Sequence, residues 1–161
     1  MESKIIIKNP VKSDAKQIYS LVKKTKILDV NSEYLYLLQT THFKDTCCVA
    51  QVDNEVFGFV SGYIHPEHND VLFVWQVGVD DSLRGKNMAG QMIAYLLGTE
   101  SLKGIKYIHT TISPNNKASQ RVFQKVATKF NATIKEEPMF EIKDFHNAHE
   151  DEILYKIGPI A

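Results

Sequence analysis

The sequence predicts one α/β domain, built on a mixed sheet with helices on both faces. Three observations predict it. The chain has 161 residues with 43% hydrophobic content, which suits one domain with its own core. A hairpin pattern occupies part of the first half, and strands alternating with helices occupy the second half. We therefore expect a single domain over 1–161 with no linker and no second domain.

Charge and composition limit the partners. Nineteen basic residues balance nineteen acidic ones, so bulk charge predicts no nucleic-acid partner. The sequence has no long apolar segment of the kind that a signal peptide or a membrane span requires. We therefore expect a cytoplasmic protein that acts on a small molecule. The cysteines are the neighbours Cys47 and Cys48. A disulfide between adjacent residues would be strained, so we expect reduced and at least partly buried thiols.

The first half opens with a strand over 5–8 and a helix that Ser13 and Asp14 can cap. The apolar positions of that helix are Ala15, Ile18, Leu21 and Val22. A second helix, rich in Tyr and Leu, can be capped by Asn31 or Ser32 and closes at 42–45. Strands over 46–52 and 56–64 enclose a short polar turn, which predicts a hairpin.

The second half begins with an uncharged run over 72–79, which is typical of a strand buried on both faces. A polar turn containing Gly85 leads into a helix whose apolar positions are 88, 89, 92, 93, 96 and 97, and Lys103-Gly104 ends it. A strand over 107–112 follows. Asn115 or Asn116 can cap the next helix, and two strands, near 133–136 and over 153–157, complete the order β-α-α-β-β-β-α-β-α-β-β. The apolar positions of that last helix recur at Ala118, Val122, Val126 and Phe130.

The strand, tight loop and helix over 72–97 predict a phosphate site. The first N–H groups of a helix have no partner within the helix, and they favour an anion. Gly85 and Gly90 would let a pyrophosphate approach them closely. We therefore expect a phosphate-bearing cofactor here.

Two motifs in these segments resemble the GNAT superfamily of acetyl-CoA-dependent N-acetyltransferases. Its signature Val-x-x-x-x-Arg-Gly-x-Gly-x-Ala falls on Val79 to Ala89, and Asn-x-x-Ser/Ala-x-x-Leu-Tyr falls on Asn116 to Phe123. The resemblance implies the GNAT fold, with a central twisted and mostly antiparallel sheet, acetyl-CoA as cosubstrate and no metal. It assigns cofactor binding to Val77, Val79, Arg84, Gly85, Lys86, Asn87, Met88, Ala89, Gly90, Asn116 and Phe123.

Two positions depart from the signatures. Asn87 replaces the second glycine, and we expect the loop to tolerate it because Asn reaches positive φ more readily than most residues. Phe123 replaces a tyrosine that protonates the departing thiolate in many relatives. Phe has no proton to give, so no general acid is assigned there.

Within the superfamily, several segments resemble the diaminobutyrate acetyltransferases of ectoine biosynthesis. These segments are 28–32, 46–50, 73–77, 110–119 and 149–152. The resemblance implies acetyl transfer to the γ-amine of L-2,4-diaminobutyrate, giving the N4-acetyl product, by direct transfer in a ternary complex. It also implies a homodimer.

The chemistry requires removal of a proton, because an alkyl ammonium has a pKa near 10.4 and only the free amine attacks. Asp29 and Glu152 are the first candidates for that role and Glu150 the next, because Asp29 and Glu152 lie in the segments that carry the resemblance to the diaminobutyrate acetyltransferases. The superfamily resemblance also implies that the N–H of Val77 polarises the thioester carbonyl. The same resemblance predicts an acceptor site. Its residues are Asp29, Asn31, Tyr34, Trp75, Gln76, Thr111, His149, Glu150 and Glu152.

Simpler interpretations stand beside these. Asp29 can cap a turn, the acidic run 150–152 can be solvated, and Trp75 can belong to the core. The spacings His65-x-x-His68 and His146-x-x-His149 suit a metal, but no third ligand lies nearby in sequence, so we expect none. Two alternative functions remain. The chain could acetylate another small amine or a polyamine, or it could be an acyl-CoA-binding module without catalysis.

Overall fold

Helices and strands follow each other in the order that the sequence predicts. In the computed structural model, which describes residues 4–147 and 150–160, the strands and helices have the following bounds. They are β1 (Ile5–Lys8), α1 (Ala15–Thr25), α2 (Glu33–Gln39), β2 (Cys48–Val52), β3 (Glu55–Ile64), β4 (Val71–Val79), α3 (Met88–Leu97), β5 (Tyr107–Ile112), α4 (Lys117–Lys129), β6 (Thr133–Phe140) and β7 (Glu152–Gly158). The chain forms two units, Met1–Tyr63 with Val74–Lys103 and Ile64–Phe73 with Gly104–Ala161.

The first unit contains neighbouring strands in the order β1-β2-β3 followed by the later part of β4. The ladders β1–β2 and β2–β3 are antiparallel, and the predicted hairpin between β2 and β3 is confirmed. Its turn residues Asp53 and Asn54 have φ of 51° and 66°, the left-handed pair that two-residue hairpins prefer. The predicted apolar face of α1 is buried and packs with Tyr36, Val49 and Phe59 into one core cluster.

Asp14 is not the side-chain cap that the sequence predicts. At the start of α1 its side chain makes no cap hydrogen bond. Its carboxylate instead accepts hydrogen bonds from the Val11 N–H at 2.9 Å and the Gln51 amide at 3.1 Å, and it pairs with Lys8 at 3.4 Å. These partners make Asp14 a buried link from α1 to β1 and β2. The predicted cap of α2 is confirmed at Ser32, which accepts from the Leu35 N–H at 3.2 Å.

The second unit contains the start of β4, then β5, β7 and β6 as neighbours. The β4–β5 ladder is parallel, with Val71 opposite Tyr107 and Phe73 opposite His109. The β5–β7 and β6–β7 ladders are antiparallel. A mixed sheet with mostly antiparallel ladders is therefore confirmed.

Two helix predictions are wrong in detail. The helix α3 ends at Leu97 with Gly98 as its C-cap, and the following stretch Glu100–Leu102 is a separate 3-10 turn, so Lys103-Gly104 is not its end. In α4 the buried residues are Phe123, Val126 and Ala127. The spacing of four residues predicted a straight apolar row, but 3.6 residues per turn carry that row around the helix and out of the core.

The strand β4 is not buried on both faces. Leu72, Val74, Gln76 and Gly78 are buried, whereas Phe73, Val77 and Val79 are half-buried and Trp75 is 46% exposed. An uncharged run does not distinguish an open apolar face from a buried one. The open face is the property that a ligand-binding strand needs. Among the described residues, no helix has the length and apolarity needed to cross a bilayer.

Candidate active site

The loop that follows β4 is held in the first unit by Asp80. The Asp80 N–H donates to the Phe57 carbonyl at 2.8 Å. Its buried carboxylate accepts from the Ser82 N–H at 2.9 Å and from the Lys24 ammonium of α1 at 2.6 Å. The hydrogen bond from Lys24, followed by those from Ser82, lowers the pKa of Asp80 from 3.8 to about 2. Asp80 is therefore a charged anchor for the loop at neutral pH.

The glycine-rich turn has an open surface. Gly85 has φ of +80°, and a Cβ built at Gly85 would have no atom within 4 Å. Arg84 is exposed and pairs with Asp81 at 2.8 Å. The Lys86 carbonyl accepts from the Gln91 side-chain amide at 2.6 Å, which joins the turn to the first turn of α3. A ligand could therefore approach the backbone of this turn closely.

Asn87, at the position of the signature's second glycine, adopts a left-handed conformation. Its φ and ψ are 50° and 42°, which is the positive φ that the predicted tolerance of asparagine requires. Its side chain makes no cap hydrogen bond to α3, and the first helical bond runs from the Gln91 N–H to the Asn87 carbonyl at 3.0 Å. The side chain lies over Gly90, where a Cβ would be 2.7 Å from both amide atoms of Asn87. The absence of a side chain at Gly90 therefore leaves the space that the Asn87 side chain occupies.

The start of α3 offers backbone donors to a phosphate. Met88, Ala89 and Gly90 are buried residues. The first N–H groups of a helix have no acceptor within the helix. Since Asn87 does not cap them, an anion can accept these hydrogen bonds and gain from the helix dipole. These residues fit a pyrophosphate group, which is the part of coenzyme A that the sequence resemblance assigns to them.

The open face of β4 carries Trp75, Val77 and Val79 in alternation. Val77 and Val79 are half-buried, and the indole of Trp75 is 46% exposed. All three belong to the first unit together with the loop. Apolar side chains in this row suit a pantetheine arm, and the Val77 N–H is the donor assigned to the thioester carbonyl.

Apart from Trp75 and Gln76 on β4, the predicted acceptor residues of the first unit lie in or next to the segment 26–32, which joins α1 to α2 without regular structure. Asp29 is exposed, Asn31 is half-buried and Tyr34 is 68% exposed. Gln76 differs from them because it is only 5% exposed and its side-chain amide donates to the Asp29 carbonyl at 2.7 Å. Its amide oxygen accepts from the Tyr36 hydroxyl at 3.1 Å. Both polar atoms of the Gln76 side-chain amide are therefore hydrogen-bonded within the protein.

The described acceptor residues of the second unit lie on β5 and on or just before β7. Thr111 is half-buried opposite Leu154, and Glu150 and Glu152 are half-buried. Asp151, between them, accepts from the Ile142 N–H at 2.8 Å, so the acidic run is not simply a solvated surface. His149 lies outside the described residues.

The second signature has a partly structural role. Asn116 caps α4 by accepting from the Ser119 N–H at 3.1 Å, which leaves its amide nitrogen as a donor. Phe123 is 3% exposed and packs in the core. Its burial agrees with its apolar side chain, and no proton donor is added at that position.

His65 and His68 lie in a turn of the second unit. The His65 and His68 rings have centroids 4.7 Å apart, and His65 lies 6.2 Å from His109. The Nδ1 atom of His65 accepts from the Glu67 N–H at 3.1 Å. In the part of the chain that the structure describes, no three His, Cys, Asp or Glu side chains are grouped to hold a metal ion.

Comparison with known proteins decides the family. The sequence model of the Acetyltransferase (GNAT) family matches residues 15–127. The chain belongs to this family. The matched range includes α1 through most of α4, and thus both β4 and the loop described above. The predicted superfamily and fold class are confirmed, and this enzyme family uses acetyl-CoA.

Relatives within the family have one recurring name. The L-2,4-diaminobutyric acid acetyltransferase of Halalkalibacterium halodurans is 38% identical over 161 residues, covering 99% of this chain and 85% of that protein. The enzyme of the same name from Nocardia farcinica is 40% identical over 156 residues, covering 97% and 81%.

A solved structure of a family member is similar in fold over nearly the whole chain. It is the diaminobutyrate acetyltransferase of Paenibacillus lautus in complex with its substrate L-2,4-diaminobutyric acid and coenzyme A. It superimposes with a TM-score of 0.94 at 33% identity, covering 98% of this chain and 96% of that one.

Sequence reasoning missed Lys24, the hydrogen bond between Tyr36 and Gln76, and the anchoring role of Asp80. The partners Lys24 and Asp80 are 56 positions apart, and Tyr36 and Gln76 are 40 apart. No periodicity or family signature connects residues at such separations. A buried polar residue in an otherwise apolar strand, such as Gln76, is the one local signal that a hydrogen-bonded network is present.

Proposed function

We propose that this chain transfers the acetyl group of acetyl-CoA to the γ-amine of L-2,4-diaminobutyrate, giving N4-acetyl-L-2,4-diaminobutyrate in ectoine biosynthesis. The observation that carries the proposal is the similarity over 98% of the chain, at a TM-score of 0.94, to the diaminobutyrate acetyltransferase bound to that substrate and coenzyme A. The enzyme transfers the acetyl group directly, within a ternary complex.

The donor is held by the first unit. We assign its pyrophosphate to the backbone of Arg84 to Gly90, where the turn is open at Gly85 and the first N–H groups of α3 are uncapped. The half-exposed row of β4 lies along its pantetheine arm. The Val77 N–H donates to the thioester oxygen, and this hydrogen bond strengthens as negative charge develops there during attack.

The acceptor must lose a proton before it attacks. A carboxylate directly or through water near the γ-nitrogen can remove it, and Asp29 and Glu152 are the groups we assign, with Glu150 after them. The exposed side chain of Asp29 projects from a segment whose backbone is hydrogen-bonded, which suits a group that must meet a ligand. The substrate also carries an α-ammonium, which acidic groups must bind, and an α-carboxylate, which needs hydrogen-bond donors. We assign Asn31 and Thr111 as such donors, and His149 to the same acceptor site.

The pocket walls are assigned to Trp75 and Tyr34, both of them aromatic and substantially exposed. Aromatic walls exclude water from the ammonium group and can bind its cationic form before deprotonation. They therefore supply both recognition and desolvation, the second of which favours the neutral amine.

The departing thiolate needs no proton from Phe123. A thiol with a pKa of about 8.5 is a good leaving group near neutral pH, so collapse of the tetrahedral intermediate can release the thiolate. Water or another tyrosine can protonate it afterwards. The absence of a tyrosine at position 123 is therefore compatible with catalysis.

Three further properties belong to the proposal. We infer one catalytic domain over 1–161, supported by a family match that extends over parts of both units. We infer a homodimer, supported by the exposed apolar side chains of Tyr34 and Leu37, at 68% and 41%. A cytoplasmic location is inferred from the sequence composition alone.

The test is a thiol-release assay with a panel of amines and two carboxylate variants. We expect turnover with L-2,4-diaminobutyrate well above that with ornithine, lysine or spermidine. Asp29→Asn and Glu152→Gln should each lower kcat/KM by roughly 10²-fold or more, the usual effect of removing a catalytic acid or base. The matched control is Asp45→Asn, an exposed carboxylate in the 3-10 turn Lys44–Thr46.

Each alternative has its own result in this assay. Preferred turnover of a different amine would change the acceptor, and binding of acetyl-CoA without thiol release for any amine would indicate a non-catalytic module. Wild-type kcat/KM in both carboxylate variants would remove Asp29 and Glu152 from the mechanism.

A further inference from the structure

The segment 26–32 carries assigned acceptor groups but has no helix or strand to hold it. Its first residue, Lys26, has a left-handed φ of 58°, and at its end Ser32 caps α2. The contacts that fix its middle therefore decide where Asp29 and Asn31 are presented. These contacts come from β4 and α2, within the first unit.

The side-chain amide of Gln76 holds the segment from β4. Its nitrogen donates to the Asp29 carbonyl at 2.7 Å, and its oxygen accepts from the Tyr36 hydroxyl at 3.1 Å. The orientation of the amide is determined, because the Asp29 carbonyl can only accept a hydrogen bond. The main-chain N–H of Gln76 also donates to the buried Ser61 hydroxyl at 3.1 Å. Gln76 is thus fixed at three atoms.

The hydroxyl of Tyr36 holds the same segment from α2. It accepts from the Asn31 N–H at 3.4 Å while it donates to Gln76. The ring is 0% exposed and lies edge-on to Phe59 and Tyr19, at centroid distances of 6.0 and 6.3 Å. Because the ring cannot move without opening the core, its hydroxyl is a fixed point.

One apolar contact adds to the polar ones. A Cβ built at Gly78 would be 3.2 Å from the Leu28 Cδ1 atom, so Leu28 packs against the backbone of β4 two residues beyond Gln76. The segment is therefore attached at Leu28, Asp29 and Asn31, always through backbone or apolar atoms. The side chains of Asp29 and Asn31 take no part in these contacts.

We infer that Gln76 and Tyr36 are positioning residues for the amine acceptor: their buried hydrogen-bonded pair fixes the backbone at Asp29 and Asn31 relative to β4. The inference rests on the proposed function, in which Asp29 and Asn31 meet the acceptor and Val77 the thioester. Gln76 directly precedes Val77, so one strand position holds the acceptor segment and the next supplies the donor site. It also changes the role expected for Gln76, from a substrate ligand to a residue that acts through Asp29.

The test uses Tyr36→Phe, which removes one hydroxyl and keeps the buried ring, and Gln76→Leu, which removes the amide. The matched control is Gln39→Leu, on the next turn of α2. Gln39 is also buried, at 4% exposed, and its amide oxygen accepts no hydrogen bond from the described residues. Hydrogen exchange of a peptide covering 26–34 is measured without substrate, and KM is measured separately for diaminobutyrate and acetyl-CoA.

We expect faster exchange over 26–34 in Tyr36→Phe and Gln76→Leu, and a KM for diaminobutyrate raised about tenfold, since a loosened ligand-binding segment must be ordered again on binding. The KM for acetyl-CoA should stay within about twofold, and Gln39→Leu should leave both properties unchanged. The double variant should be little worse than either single one, because both remove the same network.

Unchanged exchange over 26–34 in both variants would overturn the inference, as would an equal rise of both KM values or the same effects in Gln39→Leu. The exchange measurement needs no turnover. If the wild-type protein fails to acetylate diaminobutyrate, the proposed function fails, while exchange over 26–34 still decides whether Gln76 and Tyr36 fix the segment.

Discussion

Replacing Asn87 tests how the phosphate-binding turn is built. Asn87 has φ of 50°, in a region that costs most side chains roughly 1–2 kcal/mol and asparagine less. Asn87→Ala keeps the Cβ but loses the asparagine preference, so we expect a loss of about 1 kcal/mol in the free energy of unfolding. For a chain of this length that corresponds to a fall in Tm of roughly 2–4 °C.

The same change should weaken donor binding. In Asn87→Ala the turn can relax away from the left-handed conformation, which would misdirect the first N–H groups of α3. We expect a KM for acetyl-CoA raised several-fold and a KM for diaminobutyrate near the wild-type value. Asn87→Gly should bind acetyl-CoA like the wild type, because glycine adopts positive φ without a steric penalty.

The chain offers a matched control in Asn54, whose φ is 66° in the turn between β2 and β3. Asn54→Ala should cost a similar free energy of unfolding and leave KM for acetyl-CoA unchanged. Thermal unfolding and initial-rate kinetics measure both quantities. The reasoning is refuted if Asn87→Ala keeps the wild-type KM for acetyl-CoA, or if Asn54→Ala raises it equally.

Of four more predictions, two concern the loop anchor, one the thiols and one the packing of α3. Asp80→Asn and Lys24→Met should each raise KM for acetyl-CoA, on the order of tenfold for Asp80→Asn, because the loop loses its anchor; kinetics equal to wild type in both would contradict this. The pKa of Asp80 is lowered to about 2, so its contribution to stability should be complete above pH 4 and disappear as pH falls from about 4 to 2, which urea unfolding of wild type and Asp80→Asn at several pH values measures. Burial raises the pKa of Cys47 to about 11 and that of Cys48 further, so an aromatic disulfide reagent at pH 8 should label neither thiol in the folded protein and both after unfolding; rapid labelling of the native state would show the thiols accessible. Gly58→Val should cost about 1–3 kcal/mol, because a Cβ there would already lie 3.1 Å from the Met92 Cε atom of α3, and an unchanged Tm would show that α3 packs less tightly on β3.

Local patterns predicted the helices and strands well because the signals for each element lie within a few neighbouring residues. Alternation, Gly, Pro and capping residues located β5 at 107–112 and the cap at Asn116 correctly. Where two stop signals compete, the pattern is ambiguous: α3 ends at Leu97, with Gly98 as its C-cap, although Lys103-Gly104 also resembles a helix end. The face of α4 was misjudged because a spacing of four residues approximates a helical turn only over short stretches.

The site was predictable in part, because the motif that is assigned to the pyrophosphate is a continuous stretch whose backbone N–H groups would contact the ligand. The loop 84–90 is contiguous, so its signature survives even with Asn87 in place of glycine. The supports of the site are not contiguous. Gln76 meets the Asp29 carbonyl 47 positions away, and Lys24 meets Asp80 56 positions away, so only the folded chain reveals them. The composition of β4 predicted burial on both faces, because a ligand groove and a core have the same apolar composition. Only the family resemblance assigned Trp75, Val77 and Val79 to ligand binding.

The most direct test of the central claim is the position of the acetyl group in the product. Purified protein, acetyl-CoA and L-2,4-diaminobutyrate are incubated, and the product is analysed by NMR for the nitrogen that carries the new amide. The account predicts acetylation at the γ-nitrogen with release of one thiol per product. Acetylation at the α-nitrogen, or no product from diaminobutyrate while acetyl-CoA binds, would contradict it.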